Sequence, residues 1–349
     1  MQPYDGTEAF IDVLNANGVE HVFFNPGGEM GPLLATISKF RVQGKPAPKL
    51  ILCLDESVAL TAAHGHYMIS GRPQVVMVHA ELGTLQLGGA LHNAQGGRVP
   101  VILWAGKIPT AKRVNWKDEP YDQGMSVRNC VKWDHHIDSD ENIRDVLQQA
   151  FRTALTEPCG PVYLCYSRDV PMKQIDKVSI PKSGGGPIMS APPVDINALE
   201  KAAEPLIEAQ NPLIVAGYSG RYHESVASLV ELAETLCAPV LPSQVWMNFP
   251  TTHPLCAGIE QILGSRKPNP YLSDADVILA SDQIAFEAGV DIMPSADYAM
   301  VARACGAYGR TVEKPDDVLP ALKEAIEQVR RGKPAVLDVK VERDIESVM

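Results

Sequence analysis

The chain lacks closely spaced cysteine pairs, long apolar runs and excess positive charge, and each absence excludes a class of protein. Its seven cysteines form no CxxC or zinc-like pair, which indicates a reducing compartment. No apolar run reaches the roughly 20 residues of a membrane-spanning helix, so no membrane is expected as a partner. A net charge of −11 likewise disfavours nucleic acid and anionic membrane surfaces.

Three further patterns are missing. The N-terminus has no basic region followed by an apolar core, so cytoplasm is the default location. Ala216-Gly217-Tyr218-Ser219-Gly220 is not GxGxxG, and no acidic residue closes a second strand about 20 positions later, which disfavours nicotinamide binding. The neighbours His135 and His136 point in different directions on either regular element, which disfavours a shared metal.

Repeated strand–turn–helix patterns dominate what is present. Hydrophobic residues make up 45% and charged residues 21% of the 349 positions, which is typical of a globular protein with two or more domains. Apolar runs cover residues 49–54, 74–79 and 99–104, and helix-compatible segments follow the first two. The runs are apolar enough to be buried on both faces, as in a parallel sheet. Functional groups are expected where such strands end.

Two titratable residues stand at those strand ends. Glu56 follows the first run and His79 closes the second. Taken singly, Glu56 is typical of a first-turn carboxylate that favours a helix N-terminus. His79 alone is typical of a half-buried structural histidine, so the surrounding pattern has to decide.

That pattern closely resembles one domain of a known family. It consists of Asn25-Pro26-Gly27-Gly28-Glu29, Asp55-Glu56, His79-Ala80-Glu81-Leu82-Gly83-Thr84 and Asn93-Ala94, in this order and spacing. It is similar to the pyrimidine-binding domain of the thiamine-diphosphate-dependent 2-oxo acid decarboxylases and acetolactate synthases. The placing of His79 favours benzoylformate decarboxylase. Gly28 stands where that enzyme has an active-site serine, so the hydroxyl is missing here.

The resemblance implies an α/β protein of consecutive doubly wound parallel-sheet domains. Residues 1–180 are predicted to form the pyrimidine-binding domain, and 181–193, rich in glycine and proline, a linker. A central α/β domain is expected over 194–283. Residues 284–349 resemble the C-terminal part of the family's diphosphate-binding domain.

The motif that anchors Mg²⁺ and the diphosphate in this family is absent from the sequence. No Gly-Asp-Gly followed at a distance by Asn-Asn occurs, so no metal ligand is assigned in this chain and Mg²⁺ is expected through a segment outside it. The segment is omitted from the sequence, supplied by another chain, or lost in a shortened relative. We favour omission, since the tail would be an odd fragment to keep alone.

The resemblance also implies roles for single residues. Glu56 is expected to hold ring nitrogen N1′ of thiamine diphosphate; burial beside Leu54, Val58 and Ala59 favours the neutral acid, whereas a helix N-terminus favours the carboxylate. His79 is expected to transfer protons. The other predicted cofactor contacts are Pro26, Gly27, Gly28 and Asn93, and the predicted substrate pocket contains Gly28, Glu29, His79 and Gln86.

The implied activity is carbon–carbon bond cleavage or formation on a 2-oxo acid, with thiamine diphosphate as the electron sink. Decarboxylation is the main expectation. An acetolactate synthase-type carboligase, a 2-hydroxyacyl thioester lyase and a non-catalytic or split-complex subunit are the alternatives. The active site is expected between subunits of a homodimer or homotetramer, or beside a separate diphosphate-domain chain. Flavin occupies the central domain in acetolactate synthases, but no residue here favours it.

Overall fold

The computed structural model describes residues 4–109, 122–137, 141–177, 196–242, 245–258, 270–281, 303, 308–312, 314–331 and 335–339. The chain divides into two compact units, residues 1–283 and 284–349. The predicted linker lies outside the described residues.

The first part of the larger unit alternates strands and helices. Its elements are α1 (Gly6–Ala16), β1 (His21–Phe24), α2 (Gly31–Val42), β2 (Lys49–Leu52), α3 (Glu56–Ser70), β3 (Gln74–Val78), α4 (Ala80–Gln86), α5 (Gly88–Gly96), β4 (Val101–Lys107), β5 (Trp133–Ile137), α6 (Ile143–Leu155) and β6 (Val162–Ser167).

The six strands form one parallel sheet in the order β2-β1-β3-β4-β6-β5. One face packs against α1, α2 and α6, and the other against α3 and α5. Strands β3, β4 and β6 are buried throughout, as their apolar runs predict. Strand β2 lies on one side of β1, and β3 lies on the other side. The strand order therefore reverses at β1, and a topological switch point lies between β1 and β3. Ligands of doubly wound sheets bind outside the carboxyl ends of such strands.

Two expectations for these elements are wrong. The run 49–54 was expected to be buried on both faces, but β2 is an edge strand paired with β1 alone, and Leu52 is 60% exposed. The single helix-compatible segment 83–94 is divided into α4 and α5 at Leu87. Gly88-Gly89 follows this break, and glycine has the weakest helix propensity after proline.

The described residues of the polar stretch 107–134 include a buried polar side chain. Gln123 is 1% exposed, and its Nε2 donates to the Tyr163 hydroxyl at 2.8 Å. Trp133 already begins β5. A polar side chain of this kind can be buried because its hydrogen bonds are satisfied inside the protein, which composition alone does not reveal.

The central domain forms a smaller parallel sheet, in the order β8-β7-β9. Its elements are α7 (Ile196–Glu208), β7 (Pro212–Ala216), α8 (His223–Leu236), β8 (Val240–Pro242), α9 (Pro270–Asp274) and β9 (Val277–Ser281). Two side chains join it to the first sheet: Tyr218 donates its hydroxyl to Gly96 O at 2.6 Å, and Trp246 Nε1 donates to Gly97 O at 2.9 Å. Both rings are buried in the core beneath α3 and α5.

The smaller unit contains one strand–helix–strand motif. It consists of β10 (Tyr308–Val312), α10 (Pro315–Arg330) and β11 (Ala335–Val339), and the two strands pair in parallel. Arg310 Nη1 lies 2.6 Å from Glu324 Oε2 and ties β10 to α10. Among the described residues, no helix has both the length and the apolar character required to cross a membrane.

Candidate active site

Glu56 is a buried acid at the start of α3. Asp55 caps this helix, since its Oδ1 accepts hydrogen bonds from Ser57 N at 2.8 Å and Val58 N at 3.3 Å. The hydrogen bond from the Ser57 hydroxyl holds the pKa of Asp55 below its usual value. Glu56 itself is only 6% exposed, and within the described part of the chain its side chain makes no hydrogen bond or ion pair. A buried polar group left unpaired is costly, which makes Glu56 a candidate binding group.

A glycine in α4 leaves room for this carboxyl group. A Cβ at Gly83 would stand 2.7 Å from Glu56 Oε1 and 3.1 Å from Val78 Cβ, both too close for an undisturbed side chain. The first turn of α4 and the first turn of α3 therefore meet at Glu56 Oε1.

His79 stands between β3 and α4, in a strained stretch of backbone. Ala80, the next residue, has φ +39°, a left-handed conformation that disfavours any residue with a Cβ. The Thr84 hydroxyl lies 2.7 Å from Ala80 O and 2.8 Å from the Tyr163 hydroxyl, which secures this turn. Strain of order 1–3 kcal/mol at such a residue is typical of functional sites.

Glu29 pairs with His79 across the switch point. Nδ1 of His79 lies 2.8 Å from Glu29 Oε1 and 2.9 Å from Oε2. The carboxylate is 8% exposed and the imidazole 45% exposed, so Glu29 lies behind and His79 faces outward. The Tyr166 hydroxyl donates to Glu29 O at 3.4 Å, and burial raises the pKa of that phenol well above its usual value.

Two more glycines make room for the pair. A Cβ at Gly27 would stand 2.6 Å from Glu29 Oε2 and would overlap His79 Nδ1. A Cβ at Gly106, near the end of β4, would overlap Glu29 Cγ and stand 2.8 Å from Glu29 Cβ. The Glu29–His79 contact therefore needs small residues on both the β1 loop and β4.

The remaining predicted site residues are less engaged. Pro26 and Gly28 are exposed in the loop after β1, with open space at Gly28. Gln86 and Asn93 are exposed on α4 and α5, and neither side chain forms a hydrogen bond with any residue that the structure describes. The structure thus brings Glu29, His79 and Gly27 together, and does not attach Gln86 or Asn93 to them.

One predicted detail of Glu56 is wrong. Leu54 and Val58 were expected to bury it, yet they are 91% and 57% exposed, and only Ala59 is buried. Both apolar residues point away from the core because β2 is an edge strand and Val58 lies on the outer face of α3.

Sequence reasoning missed Gly83 and Gly106 as site residues. Gly83 stands inside a helix, where glycine is unfavourable by about 1 kcal/mol, and Gly106 interrupts a buried strand. Both positions therefore carried a signal that a side chain or ligand approaches closely. The pairing of Glu29 with His79, 50 positions apart, has no comparable signal in one sequence.

The described residues include one cluster with metal-ligand chemistry, and it lies elsewhere. Glu20, His21 and His66 bring three ligating atoms within 4.8 Å of one another. Glu20 is also ion-paired with Arg72. The cluster lies at the amino end of β1, whereas Glu29 follows its carboxyl end. His135 pairs separately with Glu141, at 2.8 Å.

The glycine turn after β7 is filled by the protein itself. Asn248, which is 1% exposed, accepts a hydrogen bond from Gly220 N at 2.6 Å and donates to Ala216 O at 3.1 Å and to Gly217 O. Arg98 lies 4.0 Å over the Tyr218 ring in the same turn. This turn joins two domains.

Models of thiamine pyrophosphate enzymes match three successive segments of the chain. The N-terminal TPP binding domain matches residues 4–127, the central domain 199–281 and the C-terminal TPP binding domain 281–339. The chain belongs to the thiamine pyrophosphate enzyme family. The predicted family and the parallel-sheet α/β class are confirmed.

Members of this family with related sequences carry different names. The probable acetolactate synthase large subunit of Methanocaldococcus jannaschii is 29% identical over 79% of this chain and 46% of its own length. Benzoylformate decarboxylase of Pseudomonas aeruginosa is 31% identical over 72% of this chain and 47% of its own length. The solved structure of the thiamine diphosphate-dependent 4-hydroxybenzoylformate decarboxylase of Rhodococcus jostii RHA1 matches with a TM-score of 0.63 and 26% identity. The match covers 73% of this chain and 48% of that protein. The chain thus spans about half the length of these relatives.

Proposed function

We propose that this chain contributes the pyrimidine-binding part of a thiamine-diphosphate-dependent enzyme that cleaves or forms a carbon–carbon bond on a 2-oxo acid. The observation that carries the proposal is the carboxyl group of Glu56, a residue 6% exposed, which lies beside Gly83 and has no partner among the described residues. Family membership and relatives named benzoylformate decarboxylase and acetolactate synthase support the same chemistry.

The residues at this edge of the sheet fit an aminopyrimidine ring. Glu56 offers a carboxyl group with no competing partner among the described residues, and Gly83 leaves the space beside its Oε1 free of a side chain. Gly27 and Gly28 allow the backbone of the β1 loop to approach a ring closely. Thiamine diphosphate, when bound, supplies the electron sink for breaking a bond next to a carbonyl group.

In this proposal Glu56 holds a hydrogen bond to ring nitrogen N1′ and shares its proton. His79, half-exposed beside the same edge, moves a proton to or from the substrate, because an imidazole accepts and releases protons near neutral pH. The Glu29 carboxylate behind it prevents the ring from turning away. Pro26 remains a proposed lining residue on position alone.

An apolar rim around Glu56 supports a site completed by another protein surface. Five large apolar side chains near the carboxyl edge are between 56% and 91% exposed: Leu52, Leu54, Val58, Leu82 and Leu85. Exposed apolar patches of this kind favour protein contact. We therefore keep a homo-oligomer, or a separate diphosphate-domain chain, as the proposed partner. Mg²⁺ and the diphosphate are assigned to residues outside this sequence, since the Gly-Asp-Gly and Asn-Asn motif is absent from it.

Decarboxylation is favoured over carboligation by the position of His79, which suits proton transfer at the substrate. The competing candidate is a subunit that keeps the fold without holding cofactor, and the missing motif favours it. The two differ in one measurable property, which is cofactor binding.

The first experiment combines the intact mass of the purified protein with calorimetric titration of thiamine diphosphate and Mg²⁺. Saturable binding, followed by loss of at least about a hundredfold in CO₂ release from 2-oxo acids in Glu56→Gln, is the expected result. Glu8→Gln, at an ion pair on α1, serves as the control with unchanged turnover. A mass of 37.8 kDa with no binding and no co-purifying chain would overturn the proposal.

A further inference from the structure

The contact between Glu29 and His79 is asymmetric in a way that bears on proton transfer. Both carboxylate oxygens lie within 2.9 Å of one ring nitrogen, Nδ1, so Nδ1 is fully occupied. The other nitrogen, Nε2, has no hydrogen-bond partner among the described residues, and the ring is 45% exposed. One ring nitrogen of the imidazole is therefore bound by the protein, whereas the other is available.

Of the two neutral tautomers of His79, only one suits this contact with an ionised carboxylate. An ionised carboxylate accepts hydrogen bonds and cannot donate them, so a neutral imidazole beside it must carry its proton on Nδ1. Nε2 then has a free lone pair and acts as an acceptor. Imidazole in water favours the opposite tautomer, with the proton on Nε2, so the arrangement has to be imposed by Glu29.

The surroundings of Glu29 show that its position is fixed. Its backbone oxygen accepts from the buried Tyr166 hydroxyl, and its Cβ and Cγ fill the space that the missing side chain of Gly106 leaves. Ala80, the residue after His79, has a left-handed backbone conformation, and the Thr84 hydroxyl donates to its carbonyl oxygen at 2.7 Å. The carboxylate and the imidazole are thus placed independently and meet with little freedom.

We propose that Glu29 is a positioning residue: it holds His79 as the Nδ1–H tautomer and leaves Nε2 as the proton acceptor of the active site. Glu29 acts through His79 and does not itself touch substrate. The role of Nε2 in turnover rests on the proposed function, whereas the tautomer is a property of the protein alone.

The tautomer is read directly from ¹⁵N chemical shifts of the histidine ring, with His79 assigned from the spectrum of His79→Gln. At a pH where the ring is neutral, the wild-type protein is expected to show a protonated Nδ1 and an unprotonated Nε2. In Glu29→Gln the side-chain amide can donate to Nδ1, so the proton is expected to move to Nε2. Wild-type His79 with its proton on Nε2 would overturn the proposal without any variant.

A matched control exists in the same chain. His135 Nε2 pairs with Glu141 at the same 2.8 Å distance on another part of the sheet. Glu141→Gln is expected to leave the shifts of His79 unchanged, which separates a local effect from a general loss of structure. Equal changes at His79 in Glu29→Gln and Glu141→Gln would contradict the proposed role.

Turnover gives a second, independent reading. Glu29→Gln is expected to lower kcat about a hundredfold or more, because Nε2 of His79 then carries a proton and no longer accepts one from the substrate. Little change is expected in KM or cofactor affinity. Glu29→Asp, which keeps the charge but shortens the reach, is expected to recover part of kcat. If the wild-type protein shows no turnover but has the Nδ1–H tautomer, the proposed function fails and the positioning role stands. A kcat unchanged in Glu29→Gln overturns the role in catalysis.

Discussion

Two parts of the chain carry the same sequence signal, an apolar strand followed by glycines, yet they have opposite structures. After β1, the turn places buried Glu29 against half-exposed His79 at the edge of the sheet, and Glu56 at the same edge has no partner among the described residues. After β7, the turn is closed by the side chain of Asn248. Glycine alone therefore does not mark a ligand site. The deciding feature is whether a protein side chain already satisfies the polar groups of the turn.

The comparison predicts that changes at the first edge remove function with little loss of stability, and that changes at the second do the reverse.

The largest expected effect is in Gly83→Ala. The new Cβ would stand 2.7 Å from Glu56 Oε1 and 3.1 Å from Val78 Cβ, so the flexible end of Glu56 must move and Val78 must shift by a few tenths of an ångström. A displacement near 1 Å is enough to reduce kcat/KM about a hundredfold, while the melting temperature changes little. Turnover of a 2-oxo acid and thermal unfolding are the measurements.

Gly89→Ala is the control for this substitution, because the structure leaves open space around Gly89 on α5. It is expected to keep full activity and to gain up to about 1 kcal/mol of stability from helix propensity. Full activity in Gly83→Ala would show that Glu56 has no fixed role.

Asn248→Ala tests the other turn. Its side chain makes three hydrogen bonds to the backbone of residues 216–220, and truncation leaves the Gly220 N–H buried without an acceptor. A loss of about 2 kcal/mol in the free energy of unfolding is expected, with cofactor affinity unchanged. Urea unfolding and calorimetry measure the two quantities.

For comparison, Asn15→Ala removes an exposed hydrogen bond to Pro46 O and should cost no more than about 0.5 kcal/mol. Loss of cofactor binding in Asn248→Ala would mean that the turn after β7 is more than a joint between domains.

A smaller effect is expected on the stability of Glu56→Gln. Glu56 is buried and has no partner in the described part of the chain, and an amide in place of its carboxyl group costs less to desolvate. The free energy of unfolding should stay the same or rise by up to about 1 kcal/mol, although turnover is lost. Such a gain is typical of residues kept for function at the expense of stability.

Glu8→Gln, which loses the ion pair with Lys39, should instead be destabilised by about 0.5 kcal/mol. Both are read from thermal unfolding. A clear loss of stability in Glu56→Gln would indicate a structural role for the carboxyl group.

The sequence predicts the framework of this molecule better than its site. Apolar runs predict β3, β4 and β6 because parallel strands buried on both faces need uninterrupted hydrophobic residues. Glu56 and His79 follow from their places after strands together with the family resemblance. The Glu29–His79 contact does not follow, because it depends on the order of strands in the sheet and on space left by Gly27 and Gly106. The hydrogen bonds of Asn248 to the turn after β7 do not follow from the sequence either, because they join residues about 30 positions apart.

The smallest effect concerns Cys159, which lies beside the joint between the first and central domains. We call joint the contact between Glu157 and Arg221 in the turn after β7, and the reactivity of Cys159 reports whether this joint is closed. Burial raises the pKa of its thiol to about 11, with the charge of Glu157 acting in the same direction. Glu157 in turn accepts a hydrogen bond from Arg221 Nε at 2.8 Å, in the turn after β7. The folded state therefore favours the neutral thiol. The stability that the neutral Cys159 thiol contributes is fully present below the usual thiol pKa, and it is lost as the pH rises from there toward the folded-state pKa of about 11.

Alkylation followed by mass spectrometry measures this directly. At pH 8 the buried Cys159 is expected to react far more slowly than the exposed Cys237, and its rate should rise at a higher pH than an ordinary thiol requires. Asn248→Ala should accelerate the reaction of Cys159 alone, because it loosens the joint. Equal rates for the two cysteines in the unmodified protein would show that the joint opens readily, and the contrast between an open edge and a closed turn would no longer hold.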